Sequence, residues 1–339
     1  MRVMEIRDAW GLENLKPGTR PDPDPGRGEV VVRIEAASVN YRDWVMARRG
    51  YGRRSGELPL IPLSDGAGTV VATGPGVTRA AIGDLVCPNF NQLWIEGPLR
   101  ERYWTGALGG PRDGVLQEFM LLHESGIVKA APHLGAVQAA SLPCAAVTAW
   151  QAIVHAGAVK PGDVVLTQGT GGVSLFALQF AKLLGARVIV TSSSEEKLAQ
   201  ARQLGADETI NYVSNPDWSR RAREMAGGEG VDVVVELAGL LNDSVRAVRA
   251  SGTLVLIGVL SSGKAQLDLG PVVTREIKLQ AVSLASRAVF EEMMRAIAQH
   301  RLVPPIQLTS ERFDGAAAVI ERLTRGQHFG KLVMRAWED

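Results

Sequence analysis

Three glycines, Gly169, Gly171 and Gly172, stand between the apolar run VVLTQ and the apolar stretch VSLFALQFA. A turn this tight needs residues without a Cβ, and phosphate oxygens need close approach to backbone N–H groups at the start of a helix. In a G-x-G-x-x-G pattern the third position is Ser174, which is small enough for close helix–strand packing. The pattern predicts a site for the pyrophosphate of a dinucleotide; a structural turn that binds nothing is the alternative.

The next apolar run ends in hydroxyl side chains, in the stretch VIVTSSSEEK. Dinucleotide sites that bind the adenosine ribose of NAD often carry an acidic residue at this point. Here Ser192 takes that place, and Ser193 and Lys197 can bind a 2′-phosphate. The two glutamates before Lys197 count against an anion, and the serines could instead only cap the next helix. We expect NADP(H) rather than NAD(H).

The elements around these residues predict an α/β fold with a doubly wound parallel sheet. From about residue 135 short buried strands alternate with helices, as βαβ units require. The predicted strands of this part are DVVLTQG, ARVIVTS, VDVVVELAG and GTLVLIGVL. Residues 1–125 are instead rich in strands, among them EVVVRIEAASV, GTVVATG, DLVCPNF and GVLQEFMLL. The segment 88–111 is expected to be a long surface excursion.

Composition restricts the class of protein. The chain has 339 residues, 37 Lys and Arg against 36 Asp and Glu, and 46% hydrophobic residues. That balance gives no reason to expect nucleic acid or an anionic membrane as a partner. The N-terminus has no apolar signal region, and no run is long enough for a transmembrane helix. Two cysteines, Cys87 and Cys144, are too few for a disulfide framework, so we expect a cytoplasmic protein.

The order of these pieces resembles the medium-chain dehydrogenase/reductase superfamily, in its zinc-free branch of quinone oxidoreductases and enoyl or enone reductases. The resemblance covers essentially the whole chain and rests on PGRGEVVVRIEAASVNYRD, PLIPLSDGAGTVVATGPGVTRAAIGDLV, SLPCAAVTAWQAIVHAGAVKPGDVVLTQGTGG and HFGKLVM. It implies a GroES-like catalytic domain over 1–125, a Rossmann cofactor domain over 126–285 and a return to the catalytic domain over 286–339. It also implies a homodimer that pairs Rossmann sheets edge to edge through the strand in IKLQAVSLAS.

The resemblance also implies that zinc is absent. Zinc-dependent relatives place a Cys ligand in the segment that here includes Asn40, and a His where this chain has Ser64. Only Cys144 matches a third ligand position, and it is expected to be a buried small residue. A catalytic zinc site needs three protein ligands and an open position, so one thiolate is insufficient.

Tyr51 and Asn40 are the candidate catalytic residues that the resemblance implies. Tyr51 matches the position of a proposed proton donor in related enoyl reductases, and Asn40 matches an Asn near the nicotinamide. Tyr51 could equally be a packing residue on a mobile loop. Further positions match cofactor contacts of the family: Thr148, Thr170, Gly171, Gly172, Val173, Ser192, Ser193, Lys197, Tyr212, Ala238, Gly239, Gly258, Val259, Leu260, Ser283, Leu284, Phe329, Gly330 and Lys331.

We therefore expect an NADPH-dependent reductase of an activated C=C bond in an enone, quinone or enoyl-type substrate. No residue is a strong substitute for zinc as the electrophile of carbonyl reduction, which favours C=C over C=O. An alcohol dehydrogenase or carbonyl reductase, and a dinucleotide-binding protein without turnover, remain the alternatives. The chain lacks the Tyr-x-x-x-Lys pair of short-chain dehydrogenases and the G-x-S-x-G turn of serine hydrolases. GVLSSGKA imitates a P-loop but lacks the Ser or Thr after Lys264.

Overall fold

A computed structural model describes residues 1–258 and 265–338. It divides into two compact units, one formed by Met1–Val147 with Ala285–Asp339 and the other by Thr148–Leu284. The first unit thus continues beyond the boundary expected at residue 125, while the second boundary falls beside the expected residue 285. None of the helices within the described ranges is long and apolar enough to cross a membrane.

The strands follow in chain order. They are β1 (Arg2–Ile6), β2 (Leu15–Thr19), β3 (Glu29–Ser38), β4 (Asp65–Thr73), β5 (Leu85–Pro88), β6 (Phe119–His123), β7 (Ile127–Lys129), β8 (Val164–Gln168), β9 (Arg187–Ser192), β10 (Glu208–Asn211), β11 (Val231–Glu236), β12 (Val248–Leu256), β13 (Lys278–Ala281), β14 (Ile306–Arg312) and β15 (Lys331–Arg335). The helices are α1 (Tyr41–Ala47), α2 (Ala136–Ala139), α3 (Val147–Trp150), α4 (Gly172–Leu183), α5 (Glu195–Gln203), α6 (Trp218–Met225), α7 (Leu241–Ala247), α8 (Leu269–Thr274), α9 (Arg287–His300) and α10 (Ala316–Thr324). Short 3-10 turns and the π-helical turns Leu142–Ala146 and Gln151–Ala156 connect them.

The first unit is built on a sheet of order β14-β15-β3-β4-β5-β7, with β6 paired to β3. Strand β3 pairs with β15, β4 and β6 in antiparallel ladders. Its side chains are buried over most of its length, because Val30, Val32 and Ile34 enter the core. That core also takes in Phe313, so the C-terminal part of the chain completes the sheet and the core begun by the N-terminal part. The β-rich GroES-like domain is confirmed.

The second unit is a six-stranded sheet of order β10-β9-β8-β11-β12-β13, and every adjacent pair is parallel. The chain starts at the centre with β8, moves outward through β9 and β10, and returns to the centre with β11. All five residues of β8 are buried, which fits the apolar residues Val164, Val165 and Leu166 at its start. Parallel strands present their carboxyl ends at one edge, where such sheets bind ligands at the point of strand-order reversal. The predicted Rossmann fold is confirmed.

Two local expectations need revision. The segment 88–111 is more than a surface excursion, because Trp94 is only 7% exposed and Leu108 only 2%. The predicted strand GVLQEFMLL begins only at Phe119. The helical stretch after residue 135 packs through α2 against β3 and β4, which explains why the first unit extends to Val147.

Candidate active site and cofactor site

The glycine-rich turn joins β8 to α4 as the spacing predicts. Gly169 has φ +79°, a left-handed conformation that favours glycine. Gly171 is the N-cap of α4, and a Cβ built on it would meet no atom within 4 Å, so the space in front of the helix is open. Among the described residues, no side chain caps this helix start. Open space beside uncapped backbone donors fits a phosphate group, with Thr170, Gly172 and Val173 in the same turn.

A side chain in the first turn of α4 fixes the glycine-rich turn to the end of β8. Ser174 Oγ donates to the backbone oxygen of Gln168 at 2.5 Å. This contact joins the first turn of α4 to the end of β8, and a longer side chain at Ser174 would separate them. The small third residue of the glycine pattern therefore has the packing role expected of it.

At the end of β9 the hydroxyl groups of Ser192 and Ser194 take part in a helix cap. This geometry is also compatible with the predicted cofactor contact. Ser192 is 4% exposed, and its Oγ accepts the N–H of Ser194 at 3.3 Å. Ser194 Oγ in turn accepts the N–H of Lys197 at 3.3 Å and caps α5. Ser192 keeps its hydroxyl proton to donate, and Ser193 is exposed. The backbone N–H of Tyr212 donates to Ser192 O at 3.1 Å, which brings the predicted Tyr212 to this strand end.

The charges beside this strand end are mixed. Burial lowers the pKa of the Lys197 ammonium, while the charge of Glu196 opposes that shift. Glu195 is exposed, and its carboxylate accepts a hydrogen bond from Asn211 Nδ2 at 2.7 Å. That bond ties the carboxylate to the end of β10. Both glutamates are exposed, whereas Ser192 is buried. Their negative charge counts against a 2′-phosphate at this strand end.

A buried carboxylate that sequence reasoning missed lies at the neighbouring strand end. Glu236 is fully buried at the end of β11, and its Oε1 accepts the N–H groups of Ala238 at 2.9 Å and Gly239 at 2.6 Å. Its other oxygen accepts from Gln168 Nε2 at 2.9 Å and from Ser244 Oγ. Since Gln168 immediately precedes the glycine turn, Glu236 ties that turn to the loop after β11. A lone Glu in the apolar run VDVVVELAG was the available signal.

The remaining cofactor predictions of this unit follow strand ends. Ala238 and Gly239 follow β11, Gly258 follows β12, and Ser283 and Leu284 follow β13. They therefore lie toward the same edge as the glycine turn and Ser192. Thr148 is 3% exposed in α3, at the start of the unit. Val259 and Leu260 lie outside the described residues, as does most of GVLSSGKA.

In the first unit a buried lysine is the centre of the candidate active site. Lys331, the first residue of β15, is 3% exposed. Its Nζ donates to Val39 O at 2.8 Å, to Asn40 Oδ1 at 2.5 Å and to Asp65 Oδ2 at 3.4 Å. An ammonium has three protons, so these three acceptors occupy all of them. Phe329 and Gly330, which were predicted as cofactor contacts with Lys331, belong to this unit and precede β15.

A second buried carboxylate fixes the start of α1. Asp43 Oδ2 accepts the backbone N–H of Asn40 at 2.7 Å, and Asp43 pairs with Arg42 at 3.4 Å. Arg42 also donates to the backbone oxygens of Leu108 at 3.0 Å and Gly110 at 3.3 Å. Desolvation raises the pKa of Asp43 to about 6, although the charge of Arg42 opposes the shift.

Tyr51 lies in the segment that follows α1, directly before a short 3-10 turn. It is 46% exposed, and the partial burial of its hydroxyl raises the pKa of that group, while the charge of Arg42 lowers it. The charges of Cys144 and Asp43 also raise the pKa of this hydroxyl. A phenol with a raised pKa stays protonated at neutral pH, which is the form a proton donor needs.

The residues present do not fit a catalytic zinc ion. The positions that the resemblance pairs with zinc ligands hold Asn40, Ser64 and Cys144. Cys144 is partly rather than fully buried, and desolvation followed by the Asp65 carboxylate raises the pKa of its thiol. The Lys331 ammonium already contacts Asn40 and Asp65. Across 1–258 and 265–338, no group of three His, Cys, Asp or Glu side chains could hold a metal.

Comparisons with known proteins agree with the two folds, although the descriptions of one matching family and of one relative refer to zinc. Residues 26–132 match the family described as "Alcohol dehydrogenase GroES-like domain", and residues 172–299 match the family described as "Zinc-binding dehydrogenase". A zinc-type alcohol dehydrogenase-like protein of Schizosaccharomyces pombe is 36% identical, over 99% of each chain. The crystal structure of a putative alcohol dehydrogenase from Sinorhizobium meliloti 1021 has a TM-score of 0.92 and 38% identity, and covers 98% of each chain. An NAD-dependent alcohol dehydrogenase has a TM-score of 0.90 and 34% identity, and covers 99% of this chain and 100% of its own.

Proposed function

The chain belongs to the medium-chain dehydrogenase/reductase family and is an NAD(P)-dependent oxidoreductase, and from this premise we propose that it is a zinc-independent, NADPH-dependent reductase of an activated C=C bond. The proposed substrates are enones, quinones or enoyl-type compounds. The observation that carries the proposal is the buried Lys331 ammonium. It contacts Asn40, in the segment where zinc-dependent relatives have a Cys ligand, and Asp65, which follows the Ser64 that replaces their His ligand. The three protons of the Lys331 ammonium are occupied. Because an ammonium also offers no open coordination position, it cannot polarise a substrate carbonyl as zinc does.

The proposed reaction uses the residues of the first unit in distinct roles. When bound, the cofactor supplies a hydride, which adds to the β carbon while the electrons of the C=C bond move to the conjugated oxygen. Asn40 donates its side-chain N–H to that oxygen and stabilises the enolate. The electron pair of the enolate then takes the Tyr51 proton at the α carbon while the C=O bond re-forms, which leaves Tyr51 as a phenolate. Its 46% exposure lets solvent return the proton.

Three finer points belong to the same proposal. Preference for NADPH is supported by Ser192 and Lys197 at the end of β9, where an acidic residue is absent. A homodimer through β13 is supported by the edge position of that strand and the exposure of all four of its residues. A cytoplasmic location is supported by the two free cysteines, Cys87 and Cys144.

The test is a substrate panel. The purified protein is mixed with NADPH and with enones, quinones, aldehydes and ketones, and loss of nicotinamide absorbance is followed with and without a chelator. Turnover of enones or quinones that resists the chelator is expected. Tight NADPH binding without turnover on any compound would overturn the proposed C=C reduction, whereas chelator-sensitive reduction restricted to aldehydes and ketones would favour an alcohol dehydrogenase. The alcohol dehydrogenase names of the relatives are the observation that favours this second candidate.

Within the panel, Tyr51→Phe tests the proton donor. Removing a general acid costs about 100-fold or more in rate, so kcat for enones is expected to fall by about that factor while NADPH binding is retained. Tyr103→Phe is the matched control, because it removes a hydroxyl from a buried ring stacked on Trp94. An unchanged kcat in Tyr51→Phe would remove Tyr51 from the reaction.

A further inference from the structure

The side-chain amide of Asn40 is held in one of its two possible orientations. Lys331 Nζ lies 2.5 Å from Asn40 Oδ1. An ammonium donates hydrogen bonds and cannot accept them, so the atom that faces it must be the amide oxygen. The Nδ2 group therefore points to the other side. Asp65, fully buried and 3.4 Å from Lys331 Nζ, balances the charge that fixes this orientation.

The Nδ2 group of Asn40 is a buried donor without an acceptor. It exposes less than 1 Å² and has no hydrogen-bond partner among the described residues. The backbone of Asn40 is satisfied in contrast, since its N–H donates to Asp43 Oδ2 at 2.7 Å and its oxygen accepts the N–H of Asp43 at 3.0 Å. A buried donor left unpaired costs about 1 to 3 kcal/mol, and such an exception requires an explanation.

We infer that Lys331 and Asp65 are positioning residues, which hold the Asn40 amide so that Nδ2 donates to the carbonyl or enolate oxygen of the reducible substrate. This inference rests on the proposed function and names the group of the substrate that is recognised. Lys331 does not contact the substrate, because its three protons are occupied by Val39, Asn40 and Asp65. The oxygen gains negative charge as hydride adds to the conjugated carbon, so the N–H···O bond strengthens in the transition state.

A competing explanation is a trapped water molecule. Ser38 Oγ is also buried and unpartnered in the described part of the chain, two residues before Asn40. A water that bonded both groups would satisfy Nδ2 without any substrate. The tests must therefore separate a substrate oxygen from a structural water and from a cofactor contact of Lys331 itself.

The first experiment is a double-mutant cycle. Lys331→Met combined with Asp65→Asn removes both charges together, because removal of the lysine alone would leave a buried carboxylate unpaired and threaten folding. We expect kcat/KM for an enone to fall about 10- to 100-fold, the value of one charge-assisted hydrogen bond, while the Kd for NADPH stays within about twofold. In an Asn40→Ala background the same double change is expected to have no further effect. Lys331→Arg, which keeps the charged donor, is expected to restore part of the rate.

A full effect of the double change in the Asn40→Ala background would overturn the inference, as would a raised Kd for NADPH with unchanged kcat.

The second experiment does not need turnover. The Asn40 side-chain ¹⁵N signal is assigned by its loss in Asn40→Asp, and cyclohexanone is added to the enzyme with NADP⁺, a complex that cannot react. A shift of this signal is expected in the wild type and not in the double variant. If the signal does not shift in the wild type, the inference is overturned, even if enones are reduced. If the signal shifts but enones are not reduced, the inference is supported and the proposed reaction is refuted.

Discussion

Replacing Ser192 by aspartate should reverse the cofactor preference. Ser192 is 4% exposed at the end of β9, and its Oγ accepts the N–H of Ser194 at 3.3 Å. An aspartate oxygen can accept the same N–H, since Asp commonly bonds to the backbone two residues ahead. The change should therefore keep the helix cap and add one negative charge where the 2′-phosphate of NADPH is proposed to lie.

The size of the effect follows from burial. A carboxylate and one phosphate charge about 6 Å apart repel by about 3 kcal/mol at an effective dielectric constant of about 20. That energy corresponds to about a 100-fold weaker Kd for NADPH. NADH lacks the phosphate, and its ribose hydroxyls gain a charged acceptor, so its Kd should improve.

The assay is titration of nicotinamide fluorescence with each cofactor, for the wild type, for Ser192→Asp and for Ser251→Asp. Ser251 is an exposed serine in β12, before the part of that strand that leads to the site edge, so it controls for the added charge. The wild type should bind NADPH more tightly than NADH. If NADH already binds better, or if Ser192→Asp leaves the ratio of the two Kd values unchanged, the serines are only a helix cap.

Two further predictions concern stability. The pKa of Asp43 is raised to about 6 in the folded protein, above about 3.9 in the unfolded chain. Between these two values the folded state binds more protons than the unfolded state, so the contribution of Asp43 to stability falls as pH rises from about 4 to 6. The loss is about 2 to 3 kcal/mol. Other carboxylates, such as Asp84 and Glu118, have lowered pKa values and add a slope of opposite sign, so the quantity to measure is the difference between the wild type and Asp43→Asn. Thermal unfolding at both ends of that window should show that the wild type loses stability relative to Asp43→Asn as pH rises, and an equal slope in both would refute it. Glu236→Gln replaces one accepting oxygen by an amide N–H₂, which then faces groups that are themselves donors. This change should destabilise the second unit by about 2 to 4 kcal/mol. The control Ser244→Ala should cost about 1 kcal/mol. Denaturant midpoints measure both, and a loss no larger than that of the control would contradict the role of Glu236.

The parts of the site that are local in sequence could be predicted from the sequence. The glycine turn lies within a few residues of the strand and helix that position it, so its spacing is sufficient to identify it. The Ser192 region is similar, because its hydrogen bonds join residues only two or three positions apart. The resemblance identified the family and both folds, and these are confirmed. The roles of Tyr51, Asn40 and the cofactor residues stay predictions.

The polar networks could not be predicted, because their partners are distant along the chain. Lys331 meets Asp65 across 266 residues, and Gln168 meets Glu236 across 68. No periodicity or motif joins such pairs, and only the antiparallel register of β3 with β4 and β15 brings Ser38, Asp65 and the start of β15 together. The cofactor contact of Lys331 stays a prediction, and the structure adds the contacts of its ammonium with Val39, Asn40 and Asp65.

The buried ammonium also bears on which bond can be reduced. In carbonyl reduction the full charge of an alkoxide develops on one oxygen, and zinc meets that charge directly through an open coordination position. In the proposed site the charge of Lys331 reaches a substrate oxygen only through the dipole of the Asn40 amide, whose oxygen it holds at 2.5 Å. A single N–H donor stabilises less charge than a metal ion. Conjugate reduction spreads the charge over an enolate and ends it by protonation at carbon, and this smaller demand on the donor is our reason for proposing C=C rather than C=O reduction.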